Sequence, residues 1–246
     1  MESEVKTSGS GEASAPALGF GGKLVNIFTS PGKTFQELDQ RPTWIAPVLI
    51  LIVFIAVTTQ MTFPIIMEAQ MDNFRSNPNI TPEQLEAIES QIGDNMNTQR
   101  IITLVSQIIV TPIVFLVLAG LFYLVGTVML GGDSTYKRVL AVVAWSECIS
   151  IIGVIVTSGL VMAKGSMEIS LSPALLLSAD AIGTKLHTFL SKFDFFTIWF
   201  LAVFATGFGY IYKFSTAKAY TAVGVLWAIW IALSVALSGV LKQFGM

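Results

Sequence analysis

Four stretches of this chain, residues 44–66, 101–130, 195–212 and 219–241, run for 18 residues or more without a single Asp, Glu, Lys or Arg. A fifth, 139–163, is interrupted by one charge, Glu147. An α-helix bonds its own backbone, and about 20 apolar residues at about 1.5 Å each carry it across the hydrocarbon of a bilayer. The pattern therefore predicts an all-α fold: a polytopic bundle of five transmembrane helices, with short amphipathic helices outside the membrane. Composition points the same way. Charged residues make up 12% of the chain and hydrophobic ones 53%, against roughly 25% charged in soluble domains. A surface so poor in charge has to face lipid.

The segments between the spans complete the organisation. Residues 1–22 are rich in Ser, Gly, Ala and Glu and read as a mobile cytosolic tail. They lack the apolar core of a cleavable signal peptide, so the first span is expected to stay as an anchor. Residues 23–43 form a juxtamembrane amphipathic segment. Leu24, Ile27 and Phe28 share one face, and Ser30–Pro31 is a helix start. Phe35 and Leu38 then oppose Lys33, Glu37 and Asp39, a pattern expected to lie along the headgroup boundary. The five-helix domain covers 44–241. Within it Trp44 is an interfacial anchor, Pro47 sits in the first turn and Pro64 marks the exit from the first span. The long second span is expected to tilt, with a kink at Pro112. Two loops, 67–100 and 164–194, join the spans on one face. In the first, Thr81–Pro82 starts a helix whose Leu85, Ile88, Ile92 and Met96 form a narrow apolar stripe.

Basic residues set the orientation. With the N-terminus inside, the inner segments hold Lys6, Lys23, Lys33, Arg41, Lys137, Arg138, Lys213 and Lys218, and the outer ones Arg75, Arg100, Lys164, Lys185, Lys192 and Lys242. The totals differ little. Each of the two short inner loops, however, carries two basic residues, while the long outer loops are acidic on balance. A cytoplasmic N-terminus is expected.

Glu147 is the leading candidate for chemistry, because a carboxylate inside a span costs about 2.5–3.5 kcal/mol on insertion scales and turns toward protein or water. Ser146, Ser150, Gly153 and Thr157 make a small, polar stripe along the same helix, with Glu147 at its edge. The residue is either a proton- or cation-handling group or a hydrogen-bonded fixture of helix packing. Other chemistry finds less support. Cys148 is the lone cysteine and His187 the lone histidine, so neither a multi-cysteine metal site nor a zinc site is indicated. A triad of His187, Asp180 and some serine lacks any nucleophile motif, and no phosphate-binding glycine motif occurs. The sequence thus implies no enzyme activity, no cofactor and no metal. A net charge of −2 gives no reason to expect nucleic acid. Gly207 and Gly209, with Ala205, allow close helix contact, and Asp194 is placed to cap the fourth span.

Three segments carry a family resemblance. The first is Ile27–Phe28–Thr29–Ser30–Pro31–Gly32–Lys33–Thr34–Phe35, followed by Pro42–Thr43–Trp44 and Pro47. Gly131–Gly132–Asp133–Ser134–Thr135–Tyr136–Lys137 is the second, and Asp194–Phe195–Phe196–Thr197–Ile198–Trp199 the third. In order and spacing they resemble the Yip1 family of small polytopic membrane proteins. One departure is Ala144–Trp145–Ser146–Glu147–Cys148–Ile149, which has no proline where many members carry one. The short N-terminal region is similar to that of prokaryotic members, which implies a bacterial plasma membrane location. The resemblance implies a non-enzymatic scaffold or accessory subunit that binds the bilayer and other integral membrane proteins, with ABC exporter subunits one expected class and self-association left open. It brings no catalytic residues. Segments 23–41 and 82–99 are the expected contact surfaces; a small-solute or proton-coupled transporter built on Glu147 is the alternative.

Overall fold

The computed structural model describes residues 18–167, 169–178 and 181–243. Most of the expected N-terminal tail, residues 1–17, lies outside the described residues, as does Asp180. No strand occurs among those described. Five helical segments are long and apolar enough to cross a membrane: Ile45–Arg75, Met96–Met129, Tyr136–Lys164, Phe195–Tyr212 and Thr216–Ser238.

In chain order, α1 (Phe20–Thr29) and α2 (Pro31–Gln40) precede the first spanning helix, α3 (Ile45–Arg75). The polar helix α4 (Pro82–Asp94) leads through Asn95 into α5 (Met96–Leu124), which ends in a π-helical turn, Val125–Met129. The third span is two helices, α6 (Tyr136–Ser146) and α7 (Cys148–Lys164). After a loop containing the short α8 (Lys185–Ser191) come α9 (Phe195–Tyr212) and α10 (Thr216–Gln243). Pro64 does not end α3, and the helix runs on to Arg75. A spanning helix tolerates an interior proline where its surroundings re-satisfy the freed backbone.

The core is built around α6, whose residues Val139 to Ser146 are all buried. It is walled by α2, α3, α5 and α9. Phe200, Phe204, Phe208 and Tyr212 recur every four residues on α9, so their rings stack along one face, with successive centroids 5.9, 5.9 and 4.9 Å apart. Phe122 of α5 closes on that ladder at 4.3 Å from Phe204. Gly207 lets the layers meet: a Cβ there would lie 2.6 Å from both Phe35 and Val142.

That contact places the N-terminal helices differently from the expectation that they lie along the headgroup boundary. α1 and α2 form a hairpin folded against the bundle, with Ile27, Phe35 and Leu38 fully buried. Near its tip Phe28 meets Trp199, in the second turn of α9. Farther down Phe35 meets Gly207, and near its base Asp39 pairs with Arg138 at 3.3 Å. The hairpin therefore follows α9 for eight residues, about 12 Å. Burial of the apolar face against protein wins over burial in headgroups because α6 and α9 present a matching groove. Lys33, Gln36 and Gln40 remain exposed on the opposite face.

At the other end α4 stands out from the bundle. Its start is a capping box, with Gln84 N donating to Thr81 Oγ1 at 3.3 Å and Thr81 N to Gln84 Oε1 at 3.0 Å. Backbone N–H bonding at the helix start, with help from the Thr81 hydroxyl, holds the Glu83 carboxyl below the usual carboxylate range. Arg75 clamps Glu89 of α4 at 2.8 Å.

Candidate functional site

Glu147 sits at the joint between α6 and α7, caps one helix and opens the next. Its own N–H still reaches Val143 O at 3.0 Å. Ser150 N, however, donates to Glu147 O at 2.9 Å, a bond three residues long instead of four. The helix tightens and resets here without a proline, which the sequence had given no means to expect. Ser150 Oγ donates to Glu147 Oε2 at 2.7 Å, which gives the buried carboxyl a hydrogen-bond partner. Two residues before Glu147, the Trp145 indole donates to Thr43 O at 2.8 Å and fixes the start of α3 beside the joint. The Ser146 hydroxyl is buried and has no hydrogen-bond partner.

The small, polar stripe on α7 has a definite place. Ser150, Gly153 and Thr157 line a cavity of about 450 Å³ between α3, α7 and the start of α9. Ser146 is not among its lining residues. Opposite stand Thr58, Thr59 and Thr62 of α3, which the sequence reading did not single out. The signal available was a run of polar residues, Thr58–Thr59–Gln60 and Thr62, in an otherwise apolar span. Gly153 permits the close approach of α9, since a Cβ there would meet Phe196 at 3.0 Å. Asp194 also lines the cavity, while its Oδ1 accepts from Phe196 N at 2.9 Å and Thr197 N at 3.1 Å and so caps α9.

A larger cavity of about 670 Å³ lies beyond, on the α4 side, lined among others by Glu68, Asp72, Asn73 and His187. Met167 borders both cavities. Among the described residues no three His, Cys, Asp or Glu side chains gather as metal ligands do. His187 lines the outer cavity and Ser150–Glu147 belongs to the inner one, so no serine–imidazole pair forms between them. The chemistry on offer is hydrogen bonding and cation attraction by oxygen.

The remaining candidates gather at the opposite end of the bundle. Gly131 has φ +67°, a left-handed conformation that suits glycine. A Cβ on Gly132 would strike Tyr212 and Phe214, both at 2.5 Å. Those two rings stack at 5.2 Å. The Tyr136 hydroxyl donates to Leu116 O at 2.8 Å, Lys137 is exposed, and Lys218 donates to Leu130 O at 2.9 Å. The two short turns thus lock together. Trp199 is the exception: it stays near the start of α9, between Phe28 and Phe195 at 5.9 Å from each.

The Yip1 domain family matches residues 25–238 of this chain. A relative among characterised proteins is the membrane protein YknW of Bacillus subtilis (strain 168), 24% identical over 209 residues, which are 84% of this chain and 83% of that protein. No solved structure matches.

Proposed function

The chain belongs to the Yip1 domain family, and from that premise we propose that it is a non-enzymatic scaffold or accessory subunit that binds other integral membrane proteins. The observation that carries this reading is α4. It is a capped, 13-residue helix in which no described side chain is buried, tied to the rest by the Arg75 clamp. A helix this short is marginal in water unless an apolar face is packed. Leu85, Ile88 and Ile92 share that face and are only half-buried. A partner packed on the stripe would bury them. The α1–α2 hairpin offers less, because Ile27, Phe35 and Leu38 of its apolar face are spent on its own bundle.

The partner class proposed is the membrane part of an ABC-type exporter, in a bacterial plasma membrane with the N-terminus cytoplasmic. Lys137, Arg138, Lys213 and Lys218, all in or beside the two short turns, support that orientation. The test is purification in mild detergent with and without the triple change Leu85→Gln, Ile88→Gln, Ile92→Gln. Exporter subunits should accompany the wild-type chain and be lost from the variant. Recovery of the wild-type chain as a lone monomer or homomer would end the proposal.

A second reading, a small-solute or proton-coupled transporter, is favoured by the Ser150–Glu147 bond beside a cavity that several Thr and Ser side chains line. It requires Glu147→Gln to abolish flux in liposomes, and wild-type protein without flux for any solute tried would remove it.

A further inference from the structure

We propose that the bundle contains a dead-end aqueous crevice that opens on the α4 side, admits small monovalent cations and ends at the Ser150–Glu147 pair. The inference stands apart from both readings above, since it concerns which species reach this site.

Continuity is the first ground. Along α3 the outer cavity is lined by Asp72, Glu68 and Ile65, and the inner one by Ile66, Thr62, Thr58 and Ile55. These residues recur at three- and four-residue steps and so occupy one helix face. The face extends over 17 residues, about 25 Å. Met167, an unbranched and flexible side chain, borders both cavities at their junction.

The lining chemistry is the second. Among the described residues, no lysine or arginine lines either cavity. The inner one presents the hydroxyl residues Thr58, Thr62, Ser150, Thr157, Ser158 and Thr197. Several hydroxyls in a space of this size give a water the partners it needs, beside the apolar side chains that share the wall. Carboxylates mark the path: Glu68 and Asp72 at the mouth, Asp194 at the inner cavity and Glu147 behind Ser150. Asp72 also meets Arg75 at 3.3 Å, but Arg75 is held in turn by Glu89 at 2.8 Å. A cleft lined by one sign of charge between low-dielectric walls concentrates the opposite sign. Carboxylates along the lining, with no lysine or arginine to offset them, favour a cation over an anion.

The third ground is closure. On the far side of Glu147 every residue of α6 from Val139 to Ser146 is buried, Trp145 at 1% exposure. Ile27, Phe35 and Leu38 of the hairpin are fully buried as well. Apolar packing closes that end of the bundle.

Cysteine accessibility tests this in a Cys148→Ala background that elutes as wild type. Ser150→Cys and Thr157→Cys, reconstituted in liposomes, are treated from the α4 side with membrane-impermeant methanethiosulfonates bearing either a trimethylammonium or a sulfonate group. Gln84→Cys on exposed α4 reports which molecules present that side. Both deep cysteines should react, at least 10-fold faster with the cationic reagent. Met167→Trp should slow them at least 10-fold and leave Ser191→Cys at the mouth unchanged. Thr157→Cys carries the test if Ser150→Cys, which loses the bond to Glu147, fails to fold. Reaction no faster than that of Val117→Cys on the lipid-facing side of α5 would overturn the crevice, and equal rates with the two reagents would overturn its cation preference.

Discussion

Two of the spanning segments are both strongly apolar, yet they live in different solvents. In the most apolar 18-residue stretch of Tyr136–Lys164, 67% of residues are buried inside the protein; in Thr216–Ser238 the share is 11%. Side-chain size separates them better than hydropathy does. Around α6 the run Val139–Leu140–Ala141–Val142–Val143–Ala144 is compact, which lets neighbours close in on every side. α10 instead points Trp230, Leu233 and Leu237 outward. Lipid tails are as apolar as leucine, so apolarity fixes that a helix is in the membrane and not what it touches.

Paired tryptophans break this comparison most sharply. Trp145→Ala, at a site 1% exposed, should cost about 4 kcal/mol of resistance to unfolding in mixed detergent, as truncation of a buried aromatic does. Trp230→Ala, at 61% exposure, should shift the same midpoint very little. Equal effects would mean that α10 is covered by protein. Next in size is Gly207→Leu, which forces a side chain into Phe35 and Val142 and should cost about 3 kcal/mol by overpacking. It should also free the hairpin, read as faster proteolysis after Lys33. Asp194→Ala removes the cap of α9 and should cost about 1 kcal/mol by the same unfolding measurement.

The smallest effect belongs to the protruding end. The Glu83 carboxyl is held low by hydrogen bonds at the α4 start, so it is charged and supports the helix at neutral pH. Its support is complete above the unfolded value and fades as pH falls through the depressed folded one. Carbonyl chemical shifts of residues 82–85 should move toward coil values well below the ordinary Glu value of about 4.3. Glu83→Gln should lack that step.

The number of spans was legible because each long uncharged run has one physical solution in a bilayer. Local caps were legible as well: Thr81 and Asp194 act within three residues of themselves. What the sequence hid was long-range. Nothing near Phe35 says that its ring meets Gly207, and the amphipathic pattern of 23–41 fits a headgroup surface and a protein groove equally well. The stripe through Ser150, Gly153 and Thr157 could be drawn from helical period alone. Its opposite wall at Thr58 and Thr62 depends on how α3 rotates, which apolar residues all round do not specify.

The hairpin has a consequence for biogenesis. Its groove is completed by α9, and Trp199 is synthesised roughly 170 residues after Phe28, about 10–30 s later at synthesis rates of about 5–20 residues per second. Helices made before the first span therefore wait for the fourth span before they find their seat. Until then Phe28 and Phe35 need temporary shelter, at the leaflet surface or with a chaperone. Anything fused to the front of the chain rides on this late-docking piece and would tax assembly more than a tag at the back.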